Sequence, residues 1–174
     1  MPPLVSPILT PRLRLEPITP ALAAAARAGA DALASALGAS AVRDWAGASL
    51  ALVGRSAPDW SAAPIRALVV RSADRSIIGD VRFEPSTRAN CLEIGYSIAR
   101  SERRRGYAGE AAGAIVDWLL FEAGEKRLIA GCDRRNVGSV RVLRRLGFWL
   151  DGAERGAFWW LLTPELRAAA LDAI

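Results

Sequence analysis

The sequence predicts an α/β chain, with a mixed and mostly antiparallel sheet of about seven strands flanked by helices. Three observations lead there. Arg12-Leu13-Arg14-Leu15-Glu16-Pro17-Ile18 alternates polar and apolar, as a half-buried strand does. Ile65–Arg71 and Ser76–Glu84 are β-branched runs joined by the tight turn Ser72-Ala73-Asp74-Arg75, which reads as an antiparallel hairpin. From residue 91 to 132, two strand-length apolar runs enclose one long helical segment, a crossover that makes parallel neighbours.

In chain order, Pro11 and Pro17 bracket the first strand and suit an edge position. Thr19-Pro20 reads as an N-cap followed by proline at the first helical position, and the Ala-rich helix runs to Ala28 with Gly29 as its stop. Further helices are expected within Asp31–Leu37 and Ala41–Val53, and a loop over Gly54–Pro64. After the hairpin, a polar loop from Pro85 to Asn90 leads into the strand Cys91–Ala99. A helix follows from Gly106 to about Ala123, with Gly124 as its C-cap. The strand Leu128–Cys132 precedes a helix over Asn136–Leu146, ended by Gly147. Phe148–Ala153 and Ala157–Leu162 form a hairpin about Glu154-Arg155-Gly156, and Thr163-Pro164 starts a last helix. No repeat or low-complexity linker divides residues 1–174, so one domain is expected.

Composition narrows the function. Hydrophobic residues make up 52% and charged residues 24%, the mark of a globular chain. No apolar run approaches the ~20 residues of a membrane span, and Met1–Thr10 has no basic-then-apolar leader, so a cytoplasmic protein is expected. The net charge is +5, carried almost wholly by arginine, with Lys126 the single lysine. The arginines are spread along the chain without a basic–aromatic motif, which argues against a nucleic-acid partner. Histidine is absent, which removes Ser-His-Asp and Cys-His catalysis and His-ligated metals. Cys91 and Cys132 form no C-x-x-C pair and are expected as buried, reduced thiols.

The chemistry concentrates at Arg103-Arg104-Arg105-Gly106-Tyr107-Ala108, between a strand and a helix. A glycine there lets backbone approach an anion, the first helical turn offers free N–H groups, and the arginines add bidentate donors. A strand, a cationic glycine turn and a helix form a diphosphate-binding arrangement. A Rossmann site is disfavoured, because no G-x-G-x-x-G loop follows the first strand.

This order of elements, with Arg103-x-x-Gly106-x-Ala108 and the later Asn136-x-x-Ser139 running into Leu146-Gly147-Phe148, resembles the GNAT superfamily of acetyl-CoA-dependent N-acetyltransferases. Thr10–Leu15, Glu93-Ile94-Gly95-Tyr96 and Asn136–Phe148 look most like its ribosomal-protein-alanine branch. The resemblance implies a sheet whose two central parallel strands splay to admit the cofactor, and acetyl-CoA as co-substrate with no metal. It assigns the diphosphate to the loop of Arg103, Arg104, Arg105, Gly106, Tyr107, Ala108 and Gly109, with Glu110 pointing away. It assigns the pantetheine arm to Ile98, Ala99 and Arg100, with a bulge freeing the N–H of Ile98 or Ala99 to polarise the thioester carbonyl. Asn136 would contact the same arm, or simply cap its helix. A homodimer is common in the family.

Acyl transfer to an amine needs a base, a polarised carbonyl and a leaving thiolate. Glu93 is the first candidate base, on one face with Gly95 and Ser97; pairing with an arginine is its bland role, and Asp80 and Glu84 are rivals. The tyrosine that many family members use as acid is replaced by Leu143, which leaves Ser139, or less directly Tyr96. The acceptor parts, roughly 20–60, 85–90 and 153–158, lie near Trp45, Trp60, Trp159 and Trp160, for which core packing is the default. Asp31, Asp44, Asp59 and Glu154 are too scattered to mark a polyamine or antibiotic pocket, so a protein N-terminus or small amine is expected. The alternatives are an antibiotic or polyamine acetyltransferase, and an acyl-CoA-binding module without catalysis.

Overall fold

The computed structural model describes Leu4 and residues 6–54, 65–86, 88 and 91–173. In chain order the elements are β1 (Ile8–Leu9), β2 (Leu13–Pro17), α1 (Pro20–Ala28), α2 (Ala30–Leu37), β3 (Ser40–Ala41), α3 (Arg43–Gly54), β4 (Ile65–Arg71), β5 (Ser76–Pro85) and β6 (Leu92–Ile98). A 3₁₀ turn (Arg100–Glu102) and α4 (Tyr107–Asp117) follow, the latter continued by a π turn, Trp118–Glu122. Then come β7 (Leu128–Asp133), α5 (Val137–Arg145), β8 (Trp149–Glu154), β9 (Ala157–Leu162) and α6 (Pro164–Asp172). This is the mixed α/β architecture that the sequence predicts, with antiparallel pairs dominant and parallel pairs at β6–β7 and β3–β5.

The described residues gather into two compact units, and β5, β6 and α4 each contribute to both. The first unit spans Pro3–Arg82 and Tyr96–Ala112. Its strands run β1-β2-β4-β5-β6. Leu13 and Leu15 of β2 are fully buried while Arg14 and Glu16 pair with each other at 2.6 Å, as alternation requires. Thr19 caps α1 by accepting from Leu22 N–H, and Pro20 occupies the first turn. The core packs α1, α2 and α3 on the sheet through Leu22, Leu33, Trp45, Val53, Leu68, Val70 and Ile77.

Two expectations need correction here. β2 is not an edge strand, because Pro11 turns the chain so that Ile8 and Leu9 fold back beside Leu15 and Arg14. The segment Ser40–Ala41, expected inside or before a helix, is instead a two-residue strand parallel to the start of β5. Both strands are too short to leave a period-2 signal; only the neighbouring strand defines them. The expected loop over 54–64, Pro64 included, lies outside the described residues from residue 55 on.

The second unit spans Phe83–Gly95 and Gly113–Ile174, with strand order β5-β6-β7-β9-β8. β6 and β7 pair in parallel at Leu92↔Leu128 and Glu93↔Ile129, and among the described residues the pairing stops there. β7 continues against β9 as far as Asp133↔Ala157. The β8–β9 hairpin turns at Arg155 (φ 49°) and Gly156 (φ 86°), two positive-φ residues that match strand twist. Gly147 is obligatory: its φ is 90°, and a Cβ would lie 2.8 Å from both Ala170 Cβ and the Leu166 carbonyl oxygen. Buried Arg167 of α6 donates to both carboxylate oxygens of Asp117, at 2.6 and 2.9 Å. Cys91 and Cys132 are free and half-buried rather than buried. Among the described residues no helix is long and apolar enough to cross a membrane.

Two buried tryptophans differ in one respect. Trp45 Nε1–H donates to Asp80 at 3.1 Å, whereas Trp160 Nε1 has no acceptor among the described residues. Trp45→Phe takes a donor from a buried carboxylate, and Trp160→Phe removes an unsatisfied one. In urea denaturation Trp45→Phe should therefore cost about 2 kcal/mol more than Trp160→Phe. Equal losses would contradict this account.

Candidate active site

The Arg103–Ala108 segment belongs to the first unit. Arg104 and Gly106 both have positive φ, 64° and 84°. Such a turn makes successive N–H groups converge in the manner of an anion-binding nest. Glu110 N–H makes the first helical bond, to Gly106 O at 3.1 Å, so the N–H groups of the turn before it are the orphan donors of α4. The three arginines divide their work. Arg103 Nε–H donates to Ile98 O at 3.0 Å, and Arg105 Nη1 lies 3.2 Å from Glu102, which also receives Arg71 at 2.7 Å. Arg104 has no side-chain partner among the described residues and is exposed. Tyr107 is buried at the helix start, while Ala108 and Gly109 are half-buried and Arg100 exposed. Glu110 turns to Thr10 and Arg12.

The end of β6 is held by a polar cluster around Asp80 of β5. Asp80 is 2% exposed and accepts from Trp45 Nε1 of α3 at 3.1 Å, Ser97 Oγ of β6 at 2.8 Å and Arg66 Nη1 of β4 at 3.0 Å. Because Ser97 spends its proton on Asp80, the 3.1 Å contact between Ser49 and Ser97 has Ser49 as donor. A carboxylate so engaged ties α3, β4 and β6 to β5. Ser101 N–H and Oγ–H both donate to Asp44 of α3, at 2.9 and 3.0 Å, and the backbone bond chiefly keeps that exposed carboxyl below its ordinary value.

Gly79 lets β6 lean onto β5: a Cβ there would lie 2.3 Å from Ser97 O and 3.3 Å from Ile98 Cα. Ala99 N–H donates to Ile78 O at 2.8 Å. Backbone groups alternate along a strand, and Ile98 O, which accepts from Arg103, faces away from β5. Of the two candidate donors, Ile98 therefore has its N–H directed off the β5 edge.

Glu93, Asn136 and Ser139 belong to the second unit. Glu93 is half-buried on β6, opposite Ile129, with buried Ile94 on the other face. Its charge reaches Cys91, whose thiol burial pushes up; Arg127 opposes that rise while Glu93 and Glu125 add to it. Asn136 caps α5: its Oδ1 accepts from Ser139 N–H at 3.1 Å. The cap brings Asn136 and Ser139 together and leaves the amide NH₂ out of that bond. Leu143 is buried core, so no hydroxyl stands at that position. Trp159 lies flat between Gly131, whose Cβ would meet its ring at 3.0 Å, and the Arg88 guanidinium 4.3 Å from its centroid. Arg88 also pairs with Glu154 at 2.7 Å. Trp45 and Trp160 are core residues, and Trp60 lies outside the described residues.

A family model described as the acetyltransferase (GNAT) domain matches residues 12–149. The chain belongs to the GNAT acetyltransferases. It is similar to the uncharacterised N-acetyltransferase YjdG of Bacillus subtilis, with 34% identity over 85 residues, 48% of this chain and 51% of that one. The chain thus spans about half the length of the curated relatives it matches. Among solved structures, its fold is similar to that of a putative ribosomal-protein-serine acetyltransferase from Vibrio cholerae, with a TM-score of 0.64 at 22% identity over 92% of this chain and 98% of that one. It is similar also to Mycobacterium smegmatis RimJ in complex with CoA-disulfide, with a TM-score of 0.53 at 22% identity over 63% and 59% of the two chains.

Sequence reasoning passed over two features at the end of β6. Gly79 reads as one more strand residue, and its signal is only the lack of a side chain within a β-branched run. The Asp80 cluster draws on four elements and has no linear motif. Gly79→Val should displace the end of β6: CoA affinity by calorimetry falls about tenfold or more. Unchanged affinity in folded protein would detach Gly79 from the site. The Glu110 carboxyl is pushed up by burial, but hydrogen bonds from Thr10 and Arg12 and the Arg12 charge outweigh this and hold it below its ordinary 4.5. A depressed carboxyl stabilises the fold above its unfolded value and loses that contribution as pH falls through the lower folded value. Melting temperatures should therefore drop less below pH 4.5 in Glu110→Gln than in the parent protein.

Proposed function

We propose that this protein is an N-acetyltransferase that moves an acetyl group from acetyl-CoA to a primary amine, a protein N-terminus or a small molecule, by direct attack in a ternary complex. The observation that carries the reading is the turn at Arg104 and Gly106, with its two positive φ angles and orphan N–H groups at the head of α4, in a chain of the GNAT family. Its donors fit a diphosphate. The N–H groups from Arg104 to Ala108 would hold it, with the Arg104 side chain free to add a bidentate contact. Ile98–Arg100 would pair with the pantetheine amides, and the Asn136 NH₂ would meet the same arm.

Acetyl-CoA supplies the acyl carbon and a thiolate that leaves readily. Glu93, directly or through water, takes a proton from the acceptor ammonium, and the freed amine attacks the carbonyl carbon. The Ile98 N–H stabilises the oxygen that becomes negative as the carbon turns tetrahedral. The thiolate departs as the tetrahedral centre collapses, and the extra proton on the attacking nitrogen passes by way of the Ser139 hydroxyl to the sulfur, leaving a neutral amide, a thiol and an unchanged serine. The second reading is an acyl-CoA-binding module without catalysis. It draws on Leu143, apolar and buried where many family members carry a tyrosine.

Isothermal titration with acetyl-CoA, beside NAD and duplex DNA as controls, tests the cofactor. One-to-one binding of acetyl-CoA alone is expected, and none in folded protein would end the reading. Gly106→Val, forced into a φ that β-branched residues avoid, should lose CoA binding by about thirtyfold or more and keep its circular dichroism spectrum. Glu93→Gln should bind CoA within about twofold of the parent and lower kcat about a hundredfold. Turnover with full kcat in that variant would assign the base elsewhere. Absence of transfer to any amine or peptide, with CoA bound, would favour the second reading.

A further inference from the structure

We propose that Arg12, 93 residues before the loop, is a positioning residue of the diphosphate turn, and that Glu110 and Thr10 hold it in place. The inference rests on the cofactor reading above. Arg12 Nη1–H donates to Arg105 O at 2.9 Å. A trans peptide is planar, so fixing the Arg105 carbonyl on Arg12 aims the N–H of Gly106 the opposite way, away from Arg12. The guanidinium lies over the Tyr107 ring, 4.7 Å from its centroid. Its Nη2 would sit 3.1 Å from a Cβ on Gly106. Arg12 thus contacts Arg105 and Tyr107 and leaves little room for a side chain on Gly106 between them.

The other side of the guanidinium is held just as closely. Nε and Nη2 both meet Glu110 Oε2, at 2.7 and 2.6 Å. Glu110 Oε1 accepts from Thr10 Oγ1 at 2.6 Å and from Arg12 N–H at 2.9 Å. Thr10 N–H donates to Leu13 O at 2.9 Å, and Leu13 N–H donates back to Thr10 Oγ1 at 3.0 Å, so the segment before β2 is tied to itself as well as to Glu110. Glu110 neutralises Arg12, so attraction for phosphate is not its contribution. Its contribution is geometric, because the planar fork serves two acceptors on different elements at once. A lysine ammonium carries the same charge and cannot span Glu110 and the Arg105 carbonyl together.

Calorimetry on the full chain tests this with two ligands, CoA and S-acetylpantetheine, which lacks the diphosphate. Arg12→Ala should weaken CoA about tenfold and leave S-acetylpantetheine within about twofold of the parent. Arg12→Lys should recover less than about half of the lost affinity on a logarithmic scale. Glu110→Gln, which keeps Arg12 but loosens its hold, should weaken CoA about threefold, and it carries the test should Arg12→Ala fail to fold. Equal weakening of both ligands, CoA affinity within twofold of the parent, or full restoration by lysine would overturn the proposal. A parent protein that binds no CoA would overturn the cofactor reading itself, whereas parent binding with an unaffected Arg12→Ala removes this inference alone.

Discussion

The buried carboxylate of Asp80 is the constraint on which the first unit depends. A carboxyl group at 2% exposure is tolerable only if its lone pairs are met, and each donor that meets them comes from a different element: Trp45 from α3, Arg66 from β4 and Ser97 from β6. The desolvation cost of one side chain thus fixes the registration of three others against β5. Ser97 is in turn one residue from Ile98, whose carbonyl receives Arg103. A polar cluster with no catalytic step of its own therefore sets where the strand end lies, and hence which backbone N–H faces off the sheet.

The turn at Arg103–Ala108 shows a related division of labour. Its unsatisfied N–H groups belong to the backbone, and two of the arginines beside it are occupied with the protein itself. Arg103 bonds the end of β6 and Arg105 shares Glu102 with Arg71. Three adjacent exposed cations thus become two structural ties and, at Arg104, one side chain without a partner among the described residues. The cationic run is less a phosphate clamp than a means of fastening a strained turn, in which non-glycine Arg104 holds a positive φ.

Most of the fold was legible in the sequence, and for local reasons. Thr19-Pro20 and Thr163-Pro164 cap their helices as read, Gly29 and Gly147 end theirs, and Arg155-Gly156 turns the last hairpin. The elements missed were β1 and β3, two residues each, and the 3₁₀ and π turns flanking α4. Strands that short carry no periodicity, and the turns are set by what the chain must reach next. In the site, the glycine turn and the Asn136 cap were visible as motifs. That three elements donate to Asp80 was not legible, since a lone acidic residue in a strand gives no sign of how many donors surround it.

By itself, the sequence determined the elements, their order and the anion-binding turn, because periodicity, caps and glycine conformations act over a few residues. Tertiary structure decided everything that depends on distant partners: that Glu110 turns to Arg12 rather than to solvent, that Gly79 must be bare to let Ser97 approach, and that β6 and β7 pair at only two positions among the described residues. These are long-range contacts between segments whose sequences do not encode one another, and only their closure in three dimensions assigns each polar group its partner.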